Sequence, residues 1–124
     1  MRLRNVPGAR EVMIENEYVF TEPEGMKGTW SQVFGNDNPI RIEIGMGKGT
    51  FITTLAANNP DINYVGIEKY SSVLLRAVEK QDELQLPNLR FIRMDAEAIC
   101  EVFGEGEVDR IYPVSYTHLT LPTT

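Results

Sequence analysis

The stretch IRIEIGMGKG, residues 40–49, decides the fold of this chain. Its isoleucines at 40, 42 and 44 alternate onto one face, as they do in a half-buried strand. Glycines follow at 45, 47 and 49, and they permit a tight turn that a ligand can approach without meeting a Cβ atom. An ordinary strand-to-helix turn would also fit, but glycines at this junction favour a nucleotide-binding unit.

Strands and helices alternate on the C-terminal side of this turn. The pattern predicts helices over 49–60, 70–87 and 96–104, and strands over 62–68, 88–94 and 107–112. Short-spaced alternation of this kind means parallel strands joined by right-handed crossovers, with helices on both faces. We therefore predict an α/β, Rossmann-like half-domain over residues 39–112.

Residues 1–38 form a separate N-terminal extension of short helices and loop in this interpretation. The segment over 10–20 predicts a helix with Val12, Met13 and Val19 facing inward. A second short helix over 30–34 follows, capped by the Thr29 side chain and closed by Gly35.

Three carboxylates stand where an open parallel sheet binds its ligands, at the carboxyl ends of the strands. Glu43 lies beside the glycine turn, Glu68 ends the second strand of the unit, and Asp95 follows the third. Glu68 comes roughly 20 residues after the glycines and can accept both hydroxyls of a ribose. Asp95 can accept a hydrogen bond from an adenine amino group or cap the next helix.

The spacing of the glycines fits neither of the common phosphate-binding motifs. A dinucleotide site needs G-x-G-x-x-G, and Thr50 stands where its third glycine should be. The P-loop motif G-x-x-x-x-G-K-(S/T) does not fit either, because Lys48 is followed by Gly49 and not by serine or threonine. Glu43 would repel a pyrophosphate but suits a ligand with an ammonium and a sulfonium, which indicates S-adenosylmethionine. An oxidoreductase fragment that binds NAD and a non-catalytic module that binds S-adenosylmethionine remain as alternatives.

The composition narrows the class of protein. A net charge of −6 argues against a chain that by itself grips nucleic-acid phosphates. The sequence contains no apolar run of about 18 residues, so we predict no membrane span. It also contains no cluster of side chains that would predict a metal site. Cys100 is the single cysteine, so we expect a reduced, cytoplasmic chain with Cys100 as a small core residue.

The chain closely resembles bacterial tRNA (guanine-N7-)-methyltransferases over about residues 1–112. The matching segments are MRLRN (1–5), KGTWSQVFGNDNPI (27–40), EIGMGKG (43–49), NPDINYVGIE (59–68) and NLRFIRMDAE (88–97). The resemblance implies a class I methyltransferase fold whose first four parallel strands lie in the order 3-2-1-4 within an incomplete sheet. It also implies methyl transfer to guanine N7 in the tRNA variable loop, with cofactor contacts at Glu43, Gly45, Gly47, Gly49, Glu68 and Asp95.

The resemblance stops at residue 112. The family continues its fourth strand into a segment like NFSDPWPK, which supplies an active-site aspartate, and then into a basic stretch that helps to hold tRNA. This sequence continues instead as PVSYTHLTLPTT (113–124), an uncharged tail that looks non-native and contains His118, the single histidine. We therefore assign no catalytic residue, and we expect this chain alone to be inactive and tRNA to bind mainly elsewhere in the complete enzyme.

Overall fold

The computed structural model describes residues 8–113, in which strands and helices alternate from residue 40 onward as predicted. The elements are α1 (Ala9–Glu15), β1 (Val19–Phe20), α2 (Trp30–Phe34), β2 (Ile40–Ile44), α3 (Thr50–Asn58), β3 (Asn63–Ile67), α4 (Ser71–Leu84), β4 (Leu89–Ile92), a 3-10 turn (Ala96–Ala98), α5 (Ile99–Val102) and β5 (Arg110–Tyr112). The N-terminal arginines Arg2 and Arg4 and the tail from 114 onward, with His118, lie outside the described residues.

The described strands form one parallel sheet in the order β1-β4-β3-β2-β5. The four strands of the predicted unit, β4-β3-β2-β5, reproduce the expected order 3-2-1-4, so that part of the fold prediction is confirmed. The order reverses beside β2, because β3 lies on one side of it and β5 on the other. Ligands of such sheets bind at the carboxyl ends of the strands at this point.

The N-terminal segment differs from the prediction, because it adds a strand to the sheet. The helix predicted over 10–20 is wrong beyond Glu15: the Asn16 side chain accepts the Tyr18 N–H at 2.8 Å and turns the chain. Residues Val19–Phe20 then pair with β4. Val19 is buried as expected, but from a strand, and Val12 is exposed.

The core has two halves, one on each face of the sheet. On one face α1, α3 and α4 pack over the side chains of β3 and β4, around Met13, Ile52, Leu74, Val78 and Phe91. On the other face α2 and α5 cover the isoleucines of β2 and their neighbours, around Trp30, Ile42, Ile67, Ile92 and Val102. The glycine turn between β2 and α3 therefore sits on a sheet that is packed from both sides.

Short α5 turns Val102 inward and leaves Cys100 exposed, so the expected core position of Cys100 is wrong. None of the helices in residues 8–113 has the length and apolar character that a membrane span requires.

Trp30 anchors the N-terminal segment to the second half of the core. Its side chain is 0% exposed, and its Nε1–H donates to the Val102 carbonyl at 2.9 Å. The indole stacks on Phe103 with ring centroids 5.2 Å apart and lies in a T-shaped arrangement with Phe20, with ring centroids 5.3 Å apart. A tryptophan with its N–H satisfied and its faces covered is a structural anchor.

Helix α2 is capped from a distant part of the chain. Gly35 closes it in the left-handed conformation with φ 77°, as predicted. The predicted Thr29 side-chain cap is wrong, because Thr29 Oγ1 donates to the Met26 carbonyl at 2.7 Å. The Glu107 carboxylate takes that place: it accepts the N–H groups of Gly28 at 2.9 Å, Trp30 at 3.1 Å and Gly104 at 2.7 Å.

We expect Glu107→Ala to lower the free energy of unfolding by about 1–3 kcal/mol, because three backbone N–H groups lose a charged acceptor. Urea unfolding monitored by circular dichroism measures this change. The exposed neighbour Glu105 is the matched control, and Glu105→Ala should leave the unfolding midpoint unchanged. Equal midpoints for both variants would contradict the capping role.

Candidate functional site

The glycine turn is fixed to the end of β3. The N–H groups of Gly45 and Met46 both donate to the Ile67 carbonyl, at 2.8 and 3.1 Å. The glycines at 45, 47 and 49 have φ values of 68°, 60° and 82°, a conformation that other residues adopt only at a cost. These glycines are therefore needed for the shape of the turn itself.

Two glycines also allow the layers to approach closely around the turn. A Cβ atom on Gly49 would lie 2.7 Å from the Ala77 Cβ atom of α4. A Cβ atom on Gly66 in β3 would overlap the Met46 sulfur, which lies over that strand. The start of α3 is consequently held against α4, and Met46 holds the turn against β3.

Glu68 ties the turn to the sheet and keeps capacity to bind a ligand. Its side chain is 8% exposed, Oε1 accepts the Gly47 N–H at 3.0 Å, and Oε2 accepts the Tyr70 N–H at 3.2 Å. A carboxylate oxygen has two acceptor positions, so each oxygen retains one. Glu68 can therefore shape the turn and accept two ribose hydroxyls together.

Glu43 is buried with part of its hydrogen-bonding capacity unused. The residue is 8% exposed, and its Oε1 has no hydrogen-bond partner among the described residues. Burial, together with the negative charge of Glu68, raises the pKa of Glu43 from 4.5 to about 7. A buried acid without a donor is costly, so its position suits a positively charged partner.

Asp95 performs the capping role that the sequence allowed. Its Oδ1 accepts the Glu97 N–H at 3.0 Å and caps the 3-10 turn. Its Oδ2 lies 4.0 Å from the Lys69 Nζ, and both side chains are more than half exposed. The carboxylate is at the surface and remains accessible to a ligand.

The carboxyl ends of β2, β3 and β4 enclose a cleft of about 290 Å³. Its lining consists of Ile44, Gly45, Ile67, Glu68, Lys69, Tyr70, Met94, Asp95 and Ala96. Of the predicted site residues, the cleft brings together Gly45, Glu68 and Asp95. Glu43 does not line it, because successive strand residues point to opposite faces and the cleft lies on the side of Ile44.

The other two predicted glycines do not line the cleft. Gly47 is linked to it through its hydrogen bond to Glu68, whereas Gly49 packs against α4. Sequence reasoning missed Tyr70 and Met94 in the lining. Their place directly after two strand ends is the signal that could have found them. Within residues 8–113 no group of three or more possible metal ligands occurs.

Comparisons with known proteins agree with this architecture. A family model described as putative methyltransferase matches residues 37–116. A tRNA (guanine-N(7)-)-methyltransferase of Lachnoclostridium phytofermentans is 64% identical over 112 residues, which are 90% of this chain and 52% of that protein. The protein of that name from Geobacillus sp. (strain WCH70) is 53% identical over 113 residues, 90% of this chain and 51% of its own length. The chain thus spans about half the length of the curated relatives it matches.

Solved structures support the fold. A methyltransferase described as antibiotic related superposes with a TM-score of 0.55 at 24% identity, over 73% of this chain and 49% of that chain. Phosphoethanolamine N-methyltransferase 2 of Haemonchus contortus, solved with S-adenosyl-L-methionine, gives a TM-score of 0.51 at 17% identity, over 88% and 29%. At these identities they show the class I methyltransferase fold alone. Since the family model covers well over half of the sequence, this chain belongs to the putative methyltransferase family, and its predicted resemblance to tRNA (guanine-N7-)-methyltransferases is confirmed.

Proposed function

We propose that this chain forms the cofactor-binding part of an enzyme that transfers a methyl group from S-adenosylmethionine to N7 of guanine in tRNA. The names of the relatives support the reaction, and the candidate site supports the cofactor. The observation that carries the proposal is the pair Glu43 and Glu68 beside the glycine turn. One is a buried carboxylate whose Oε1 has no donor among residues 8–113, and the other keeps one free acceptor position on each oxygen.

The residues present fit the chemistry of S-adenosylmethionine. Glu68 accepts the ribose hydroxyls, and Asp95 lies toward the adenine end of the cleft. Glu43 lies outside the cleft, beside the glycine turn, and there supplies negative charge for the cationic methionine end. The glycine turn at 45–49 lets the backbone come close to the ligand. When bound, the cofactor supplies a methyl group that is activated by its attachment to a sulfonium.

Guanine N7, the proposed methyl acceptor, requires little chemical activation by the protein. N7 of neutral guanine has a lone pair and no proton, so the reaction needs no strong general base and depends mainly on positioning. The chain's own contribution is to hold the methyl donor at the carboxyl edge of the sheet. We expect tRNA to bind, through its variable loop, mainly to the part of the complete enzyme that corresponds to the half of the relatives not covered by this chain. This activity would place the enzyme in the cytoplasm.

Isothermal titration with S-adenosylhomocysteine tests the cofactor assignment without requiring turnover. We expect the chain to bind it and Glu68→Gln to weaken binding about ten- to a hundred-fold, because the amide nitrogen cannot accept a hydrogen bond. The exposed Glu97, beside Asp95, is the matched control, and Glu97→Gln should bind as the wild type does.

The same titration separates the proposed cofactor from the NAD-binding alternative. A folded chain that fails to bind S-adenosylhomocysteine would refute the proposed function. Binding of NAD in its place would support the oxidoreductase alternative that the sequence left open.

A further inference from the structure

We propose that Glu43 exchanges its proton for the ammonium group of the ligand: the carboxyl is protonated in the free chain and ionises when S-adenosylmethionine or S-adenosylhomocysteine binds beside the glycine turn. This inference rests on the proposed function and adds to it a coupling between cofactor binding and pH.

The geometry around Glu43 disfavours a free carboxylate. The residue is 8% exposed, and its Oε1 lies buried without a hydrogen-bond donor among the described residues. Its neighbours across the sheet are Gly66 of β3 and Tyr112 of β5. An ionised group here is largely shielded from solvent and lies beside a second carboxylate, so the neutral acid is favoured until a cation arrives.

The charged groups nearest to Glu43 do not compensate it. Glu68, at the end of β3, carries the same sign and adds to the cost of ionising Glu43. Arg41, two residues earlier on β2, is paired with Asp109, with its Nε 3.0 Å from the Asp109 Oδ2. Arg110 lies beside Arg41 on β5, and its guanidinium lies over the Tyr112 ring.

The elements packed above the turn bring no counter-charge either. Helix α3 contains no titratable side chain, and Lys48 in the turn is exposed. The buried face of α4 meets the turn through Ala77. The charged residues of α4 all lie on its exposed side: Arg76, Glu79, Lys80, Asp82 and Glu83.

A ligand ammonium is therefore the group that completes this site. Burial and Glu68 raise the pKa of Glu43 to about 7, and a bound positive charge lowers the pKa again, so the proton leaves as the ligand binds. Because protonated Glu43 must ionise first, the affinity rises with pH. It should increase about ten-fold between pH 6 and pH 8 and then level off.

Titration calorimetry in buffers of different ionisation enthalpy measures the protons released when S-adenosylhomocysteine binds. We expect nearly one proton per ligand at pH 6, about half at pH 7 and almost none above pH 8. Glu43→Gln should abolish both the proton release and the pH dependence of the affinity. Glu101→Gln, at an exposed site on α5, is the matched control and should leave both unchanged.

A second measurement covers the case in which Glu43→Gln no longer binds. In a chain with ¹³C-labelled glutamate carboxyls, the Glu43 signal is the one that is missing from the variant. We expect it to titrate near pH 7 in the free chain and at clearly lower pH in the saturated chain. A midpoint that the ligand does not move would overturn the inference.

The outcomes separate this inference from the proposed function. Binding of S-adenosylhomocysteine without proton release between pH 6 and pH 8 leaves the methyltransferase assignment intact and refutes the role of Glu43. Proton release that persists in Glu43→Gln refutes that role as well. A folded chain that does not bind S-adenosylhomocysteine refutes both.

Discussion

Replacing Trp30 with alanine is expected to lower the free energy of unfolding by about 3–5 kcal/mol. The indole is 0% exposed and lies between Phe20 and Phe103, so its removal leaves a cavity where β1, α2 and α5 meet. The Val102 carbonyl also loses its donor. Because a domain of this kind is stable by only about 5–15 kcal/mol, the loss is a large share of the total.

Urea unfolding followed by circular dichroism measures the effect of the Trp30 substitution. Trp30→Phe is the matched control: it keeps an aromatic ring between Phe20 and Phe103 and loses the hydrogen bond, so its cost should be clearly smaller. A change below about 1 kcal/mol for Trp30→Ala would mean that the N-terminal segment is not anchored through this residue.

The free energy of unfolding of the wild type is expected to fall by roughly 3 kcal/mol as pH rises, because Glu43 must ionise, and replacing Glu43 with glutamine should remove this fall. The folded chain keeps the Glu43 proton up to about pH 7, whereas the unfolded chain releases it near the ordinary pKa of 4.5. The folded state thus binds more protons between these values, and wild-type stability falls as pH rises through them. Each pKa unit corresponds to about 1.4 kcal/mol, which gives the magnitude.

The comparison is made between variant and wild type across pH, since other acids titrate equally in both. The stability of Glu43→Gln relative to wild type should grow from pH 4.5 to pH 8 and stay constant above it. A difference that does not change with pH would show that Glu43 ionises freely in the folded chain. A gain in stability together with weaker cofactor binding is the trade-off expected of a charge buried for function.

Local sequence patterns were sufficient to predict the α/β alternation, the parallel strands and the place of the glycine turn. These features depend on local signals: the alternating isoleucines before Gly45, the glycines of the turn and the helix stop at Asn59 and Pro60. The positions of Glu68 and Asp95 at one edge also followed, because the carboxyl ends of parallel strands share that edge. Close resemblance to a known family then supplied the strand order.

Features that depend on partners distant in sequence could not be predicted, because they form only when the chain folds. The strand Val19–Phe20 forms because β4 offers it an edge, which no local pattern records. Helix α2 is capped by Glu107, 77 residues beyond Trp30, and its own Thr29 bonds elsewhere.

The protonation of Glu43 is a tertiary property for the same reason. The sequence showed an acid beside a glycine turn. It could not show that this acid would be buried next to a second carboxylate, with no donor to its Oε1 in the described part of the chain. Burial and charge–charge distance are set only when β2, β3 and β5 pack together, so the chemistry of the site is fixed by the fold rather than by the motif.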